Sequence, residues 1–252
     1  MMNDKDELKN STKAFGYIGE YAGVSRFSAV INKLFKTNAK DAMMIPMNIR
    51  EDDLYFTISN MKKSKLDGVV ISNEYVHQVV DILDESSSMV KRSGMCDIIF
   101  KEGEILRGDI FSARVLTEYL KDIHASKIAL IGTSHHAKAF SFLACGFHVS
   151  YYNENLEELM QFTQEVDLVD ADINRIASGM SIDLSEFDVV LDFSTISRLD
   201  MIEKLPKINL DMKNIKEFSA LKQRVEELDV EYISYDDMID KLCDRVYNII
   251  VK

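Results

Sequence analysis

One stretch near the middle of the chain decides the fold: Lys127-Ile128-Ala129-Leu130-Ile131-Gly132-Thr133-Ser134-His135-His136-Ala137. Its first part is a short apolar run, which is typical of a strand buried in a parallel sheet. Gly132 then permits a tight turn, and a segment with helical character follows. The stretch therefore predicts a strand–turn–helix unit, from which parallel α/β folds are built.

The same alternation of strands and helices runs along most of the chain. The predicted strands are apolar runs of strand length: Ala42–Met47, Gly68–Ser72, Met95–Phe100, Lys127–Gly132, His148–Tyr152, Asp188–Phe193, Ile208–Met212 and Val230–Ile233. The predicted helices have apolar residues at helical spacing: Phe27–Phe35, Val76–Leu83, Leu116–Ile123, Leu156–Phe162, Phe218–Leu228 and Met238–Ile250. The alternation predicts an α/β fold with mainly parallel sheets and right-handed crossovers.

Composition excludes several classes of protein. The 252 residues are 46% apolar and 29% charged, which are ordinary values for a globular protein. No apolar run approaches the ~18 residues of a membrane span. Three scattered cysteines do not form a disulfide framework, and a net charge of −12 without a basic patch argues against nucleic-acid binding. The opening MMNDKDELKN lacks the apolar core of a signal peptide, so we expect a cytoplasmic protein.

The turn after Lys127–Gly132 resembles a degenerate dinucleotide-binding fingerprint. Where that fingerprint reads G-x-G-x-x-G/A, this chain reads G-x-S-x-x-A, with Ser134 in place of the middle glycine and a small Ala137 at the end. A helix N-terminus at this point offers free N–H groups to a phosphate. The alternative is an ordinary strand–helix turn that binds no cofactor.

The strand His148–Tyr152 ends in an acidic residue at the position that contacts ribose in such sites. Glu154, about 20 residues beyond the turn, could accept hydrogen bonds from a ribose 2′-OH and would repel a 2′-phosphate, which favours NAD over NADP. Its alternative role is that of an acidic residue in the first turn of a helix. His135 and His136 could contact phosphates, but no third ligand for a metal lies nearby. The predicted cofactor-binding residues are Gly132, Ser134, His135, His136, Ala137, Asn153 and Glu154.

Residues 15–155 resemble the shikimate dehydrogenase family, motif by motif. The matching stretches are Gly19–Phe35, Gly68–Val76, Gly94–Ile98, Gly108–Ala113, the Gly132 loop and Asn153-Glu154. The resemblance implies two domains: an N-terminal open α/β substrate-type domain and a Rossmann-type NAD(P)-binding domain. We predict a polar arm over 1–13, the first domain over 14–107 plus 235–252, and the second over 108–234.

The resemblance also identifies what this chain lacks. In that family, a lysine and an aspartate act together in reversible hydride transfer between NADP and the hydroxyl carbon of shikimate. Here the lysine position is Val76 and the aspartate position is Ser112. Neither side chain can move a proton at neutral pH, and general acid–base help is worth about 10²–10⁴ in rate. The standard shikimate reaction is therefore expected to be lost.

The family's substrate-holding positions are also altered. Ser25 remains, the threonine of the second motif is Ser72, and the asparagine of the third is Asp97, whose charge would repel an anionic substrate. Weak substitutes for the lost acid and base are Tyr75, His77 and Asp109, together with Glu74. For each, a structural or capping role is the alternative.

Two functional hypotheses follow. In the first, the chain is an NAD(P)-dependent oxidoreductase with a changed small substrate in a cleft between the domains. In the second, it is an inert paralogue that binds a small ligand, regulates or assembles. NAD or NADP is the possible cofactor, with NAD favoured, and the alternative is that the chain binds neither. A monomer or a homodimer is expected, with no nucleic-acid or membrane partner.

Overall fold

The computed structural model describes residues 12–213 and 218–251. The predicted polar arm lies outside these residues except for Thr12 and Lys13, and Lys13 already begins a strand. The strands are β1 (Lys13–Gly19), β2 (Ala42–Asn48), β3 (Gly68–Ile71), β4 (Glu85–Ser86), β5 (Ile98–Glu102), β6 (Ile105–Asp109), β7 (Lys127–Ile131), β8 (His148–Asn153), β9 (Asp172–Arg175), β10 (Ile182–Asp183), β11 (Val189–Asp192), β12 (Ile202–Lys204), β13 (Ile208–Asp211) and β14 (Glu231–Ser234).

The α-helices are fewer than the strands, and most of them follow a strand in the chain. They are α1 (Phe27–Thr37), α2 (Glu51–Asn60), α3 (Ser88–Ser93), α4 (Ser112–Asp122), α5 (His135–Ser141), α6 (Leu156–Glu165), α7 (Ala220–Leu228) and α8 (Tyr235–Ile250). No helix within 12–213 or 218–251 is long and apolar enough to cross a membrane.

The chain forms two compact units. Unit 1 comprises the described residues up to Ser87, Cys96–Phe111 and the residues from Ile239 on, and unit 2 comprises Ser88–Met95 and Ser112–Met238. The predicted boundaries after residues 107 and 234 each lie four residues before the observed ones. The segment 88–95, which we predicted in the first domain, belongs to unit 2.

Side-chain contacts explain why residues 88–95 belong to unit 2. The Nδ1 of His135, at the start of α5, lies 2.9 Å from the carbonyl oxygen of Ser93, at the end of α3. The guanidinium of Arg92 lies 3.9 Å from the centre of the Phe142 ring, a cation–π contact. Helix α3 is therefore fixed to α5 and to the residue that follows α5.

Unit 1 contains a mixed six-stranded sheet in the order β2-β1-β3-β5-β6-β4. Strand β1 pairs in parallel with both β2 and β3, whereas β3, β5 and β6 pair antiparallel. The β5–β6 hairpin turns at Gly103-Glu104, with Gly103 at a φ of +64°. Phe27 of α1 stacks on Tyr17 of β1 with 4.6 Å between ring centres, which anchors the helix on the sheet.

Unit 2 contains a six-stranded parallel sheet in the order β9-β8-β7-β11-β13-β14. Numbered by their order along the chain, these strands read 3-2-1-4-5-6, which is the order of the Rossmann fold. The order reverses between β7 and β11, and ligands of such sheets bind outside the carboxyl ends of the strands at that point. The predicted α/β class, with a Rossmann-type second domain, is confirmed.

One predicted helix is wrong. Residues 76–83 form no α-helix; one short 3₁₀ turn, Asn73–Tyr75, precedes the segment, and another, Val80–Ile82, lies within it. The carbonyl of Val76 accepts the N–H of Cys96 at 2.7 Å, so it is engaged by another part of the chain and not by the residue four positions on. Val76 and His77 therefore do not occupy successive positions of an α-helix.

Candidate functional site

The turn after β7 is held against the chain that follows β11. Gly132 has a φ of +101°, and a Cβ at this position would lie 2.7 Å from the backbone nitrogen of Ser194. Its N–H donates to the carbonyl of Tyr152, at 2.8 Å. Only glycine fits both the conformation and the space. The predicted loop therefore lies where the strand order of unit 2 reverses.

Ser134 closes the start of α5. It is the N-cap residue, and its Oγ accepts the N–H of Ala137 at 3.4 Å. Ala137 is fully buried, as expected for the small residue that ends the fingerprint. The serine in place of the middle glycine thus uses one of the N–H groups that a helix N-terminus would offer to a phosphate.

The two histidines of the loop have separate partners. His135 donates through Nδ1 to Ser93, as described above, and packs against Gly94, where a Cβ would lie 2.9 Å from that nitrogen. The His136 ring stacks on Phe193 with 6.4 Å between ring centres and an angle of 10°. In the part of the chain that the structure describes, no group of three or more His, Cys, Asp or Glu side chains could hold a metal ion.

Acidic and amide side chains follow β8. Asn153 is buried, and its Nδ2 donates to the carbonyl of Asn155 at 3.3 Å, while the Glu154 side chain is exposed. Asn155 caps α6 by accepting the N–H groups of Glu157 and Glu158. The carboxylate of Glu158 accepts a hydrogen bond from the hydroxyl of Thr133, so α6 is joined to the Gly132 loop.

Sequence reasoning missed a charged cluster at the carboxyl ends of β11 and β13. Lys213 Nζ lies 2.7 Å from Asp192 Oδ2 and 3.5 Å from Asp211 Oδ2, and both carboxylates are inaccessible to solvent. Asp192 Oδ1 also accepts the N–H and the hydroxyl of Ser194, at 2.9 and 2.6 Å. Burial raises the pKa of Asp192 against the lowering influence of Lys213, and the charge of Asp211 adds to the rise.

The predicted substrate residues of unit 1 form hydrogen bonds within it. Ser72, buried just after β3, donates to Glu74 Oε2 at 2.5 Å, and Glu74 Oε1 accepts the N–H of Glu20 at 3.0 Å. Ser25 is half-buried, and its Oγ accepts the N–H of Phe27 at 3.2 Å. The structure thus brings together the chain ends after β1 and β3.

Val76, at the position where the resemblance predicts a lysine, and its neighbour Tyr75 are both buried. Val76 is 2% exposed and apolar. The hydroxyl of buried Tyr75 donates to the carbonyl of Ile49 at 2.8 Å. Burial raises the pKa of Tyr75 to about 12, with further contributions from Glu20, Glu74 and other neighbours. His77 is exposed.

Asp97 holds the backbone of unit 1, and Asp109 ends β6. Asp97 is 2% exposed, and its Oδ1 accepts the N–H of Phe111 at 2.8 Å. Asp109 lies inside β6, so it is not in the turn that precedes a helix, and its Oδ1 is buried without a hydrogen-bond partner among the described residues. Ser112, at the position where the resemblance predicts an aspartate, is the buried first residue of α4 in unit 2.

Shikimate dehydrogenases are among the known proteins that resemble this chain in sequence. No family model matches the chain. It is 25% identical to a shikimate dehydrogenase (NADP⁺) of Pyrococcus furiosus over 138 residues, which cover 54% of this chain and about half (51%) of that enzyme. It is 25% identical to that of Clostridium perfringens over 215 residues, which cover 71% and 78%. The chain is distantly similar to shikimate dehydrogenases.

Solved structures of two enzymes share the fold. A shikimate dehydrogenase in complex with NADP⁺ superposes with a TM-score of 0.75 at 16% identity and covers 96% of this chain and 90% of its own. A 5-ketofructose reductase of Gluconobacter sp. superposes with a TM-score of 0.72 at 14% identity and covers 96% and 94%. Shikimate-dehydrogenase-like folds thus occur in enzymes named for different substrates.

Proposed function

We propose that this protein is a shikimate-dehydrogenase-like oxidoreductase that has lost the standard shikimate reaction. It binds a nicotinamide dinucleotide, NAD in preference to NADP, and takes a different small substrate. The observation that carries the proposal is Val76: where the family has its lysine, this chain has a buried apolar side chain.

Tyr75 and Ser112 do not replace the missing acid and base. The Tyr75 hydroxyl is held by a backbone carbonyl, and its raised pKa makes it a poor proton donor near neutral pH. Ser112 carries no charge. A bound nicotinamide would supply or accept the hydride, but the proton transfer that accompanies it in the family has no counterpart at these two positions.

The charges in unit 1 favour a substrate without a carboxylate. Three of the side chains that raise the pKa of Tyr75 are carboxylates, those of Glu20, Glu74 and Glu51. Carboxylates repel an anionic ligand and accept hydrogen bonds from hydroxyl groups. An uncharged polyhydroxy or keto compound is therefore the proposed substrate class, and one structural neighbour is named for such a compound, 5-ketofructose.

The preference for NAD is supported by Glu154. Its exposed carboxylate follows β8. At this position it would accept a hydrogen bond from a ribose 2′-OH and would repel a 2′-phosphate. The sheet order and the Gly132 turn fit a dinucleotide. Replacing Glu154 with Gln should narrow the difference in affinity between NADH and NADPH, and Glu154→Arg should favour NADPH.

The experiment is a titration followed by an assay. The intact chain is titrated with NADH and NADPH by nicotinamide fluorescence, and the nucleotide that binds is then offered with shikimate and with a panel of ketoses and polyols. We expect NADH to bind more tightly, shikimate to give no turnover, and an uncharged compound to react. Rapid shikimate turnover by the unmodified chain would overturn the loss of the standard reaction.

A second candidate is an inert paralogue that binds a ligand without turning it over. The hydrogen bond between Thr133 and Glu158 favours this candidate, because it holds a carboxylate of α6 against the loop where a pyrophosphate would bind. Nucleotide binding without turnover of any panel member, and without shikimate turnover in Val76→Lys/Ser112→Asp, would select this candidate.

A further inference from the structure

An acidic side chain from α6 lies across the Gly132 loop. Glu158 is the third residue after the cap Asn155, a position from which glutamate commonly bonds back to the N-cap residue. Here its carboxylate instead accepts the Thr133 hydroxyl, 25 residues away in the sequence. The loop between β7 and α5 is thereby bonded to the helix that follows β8.

Other groups of the loop that could hold a phosphate are also engaged. The N–H of Ala137 bonds to Ser134 Oγ, and His135 Nδ1 bonds to Ser93. Lys138, the cation of α5, pairs with Glu165 at the far end of α6. The phosphate-facing part of this loop is therefore occupied by contacts internal to unit 2, and the charge added to it is negative.

We propose that Glu158 is a specificity-determining residue of the nucleotide site. Its carboxylate accepts the hydrogen bond of the Thr133 hydroxyl, and a bound dinucleotide must displace it. Its charge also weakens the binding of ligands in proportion to their negative charge. This inference rests on the proposed binding of a dinucleotide by unit 2. The favoured ligand class is a nucleotide with the fewest phosphate charges, and a 2′-phosphate adds to the penalty.

The position of Glu158 separates its effect from that of Glu154. Glu154 follows β8, the strand whose end meets the ribose, whereas Glu158 is bonded to the loop itself. Removing the Glu158 charge should thus improve the binding of NADH as well as NADPH. Removing the Glu154 charge should mainly change the ratio of the two affinities.

The test uses the full chain and three variants. Glu158→Gln keeps the size of the side chain and an oxygen that can accept the Thr133 hydrogen bond, but removes the charge. Glu157→Gln is the matched control, since Glu157 precedes it on the same exposed first turn and makes no contact with Thr133 among the bonds described. Glu158→Ala removes the charge together with the hydrogen bond to Thr133. Each is titrated with NADH and NADPH at low salt and at about 0.5 M NaCl.

We expect Glu158→Gln to bind NADH about tenfold more tightly than the unmodified chain at low salt. The gain should be larger for NADPH and should shrink in high salt, because salt screens exposed charges. Glu157→Gln should change either affinity by less than about twofold. A merely structural role for Glu158 would not produce this dependence on salt and ligand charge.

The outcomes distinguish the inference from the function on which it rests. Equal binding by the unmodified chain and Glu158→Gln would overturn the role of Glu158 and leave dinucleotide binding intact. An equal gain in Glu157→Gln would overturn it as well. No binding by any form, with unchanged thermal unfolding, would overturn both the inference and the proposed dinucleotide binding. If Glu158→Gln unfolds, tighter binding by Glu158→Ala would support the inference and equal or weaker binding would count against it.

Discussion

Lys213 donates to Asp192 across two neighbouring strands, with 2.7 Å between Nζ and Oδ2. Asp192 ends β11 and Lys213 follows β13, so the pair joins the carboxyl ends of the two strands beside the Gly132 turn. The carboxylate of Asp192 also holds the backbone of Ser194, against which Gly132 packs. The ion pair therefore contributes to the shape of the loop as well as to the core of unit 2.

Removing the ammonium should destabilise the protein strongly. Lys213→Met leaves two buried carboxylates without their cation, and the expected loss in the free energy of unfolding is about 3–5 kcal/mol at pH 7. The matched control is Lys204→Met, which breaks an exposed pair with Asp183 and should cost less than about 1 kcal/mol. Urea unfolding measures both.

The stability of Lys213→Met should depend on pH, and the pKa of Asp192 sets the direction of this dependence. Without Lys213 the pKa of buried Asp192 rises further, so the folded state holds a proton that the unfolded chain has lost. Stability then falls as pH rises through that window, and Lys213→Met should recover part of its loss between pH 7 and pH 5. Equal losses in Lys213→Met and Lys204→Met would contradict the structural importance of the pair.

A methyl group at Gly132 should be more harmful than one at another glycine with positive φ. Gly132 and Gly146 have φ values of +101° and +97°, but a Cβ at Gly132 meets backbone atoms at 2.7–2.8 Å while one at Gly146 meets nothing within 4 Å. Gly132→Ala should therefore lose about 1–3 kcal/mol more than Gly146→Ala in chemical denaturation. Similar losses in the two variants would mean that the loop can move away from Ser194.

Tyr75 should make the protein sensitive to alkali. Its pKa is raised to about 12 in the folded state from about 10 in the unfolded chain, so between these values the folded state keeps a proton that the unfolded chain loses. Stability should fall as pH rises from 10 to 12, and Tyr75→Phe should reduce that fall. The control is Tyr55→Phe, because Tyr55 is 68% exposed. Denaturation at pH 9 and pH 11 compares them, and an unchanged fall in Tyr75→Phe would contradict the prediction.

Asp97 should contribute to the stability of the protein and not to the binding of NADH. Asp97→Ala leaves the buried N–H of Phe111 without its acceptor and should cost about 1–3 kcal/mol. Exposed Asp81→Ala is the control, and neither variant should change the NADH titration. Unchanged stability of Asp97→Ala together with altered binding of a substrate would restore the predicted contact between Asp97 and the ligand.

Much of the fold is predictable because its strands are short, buried and apolar. The run Lys127–Gly132 predicts β7 to within one residue, and Asp188–Phe193 encloses β11. Helix α2 has no such signal: it buries only Leu54 and Ile58 and exposes Tyr55 and Phe56, so its apolar residues do not follow the helical period. The predicted helix over 76–83 fails because a long-range backbone bond overrides a helical pattern.

The candidate site is less predictable because its contacts join distant parts of the chain. The Lys213–Asp192 pair spans 21 residues, and the bond between Thr133 and Glu158 spans 25. One signal was present: Asp192 and Asp211 each lie near the end of a predicted buried strand, and carboxyl ends of parallel strands meet at one edge. Only the strand order places those two ends side by side.

The division of the chain between the two units sets the order in which they can be completed during synthesis. The last residue of unit 2 is Met238, whereas unit 1 also needs the residues from Ile239 on. Unit 1 begins first at the ribosome but lacks the greater part of α8, with Leu242, Cys243 and Val246 of its core, until translation has passed unit 2. The second unit can therefore fold while the first still exposes the apolar surface that α8 will cover.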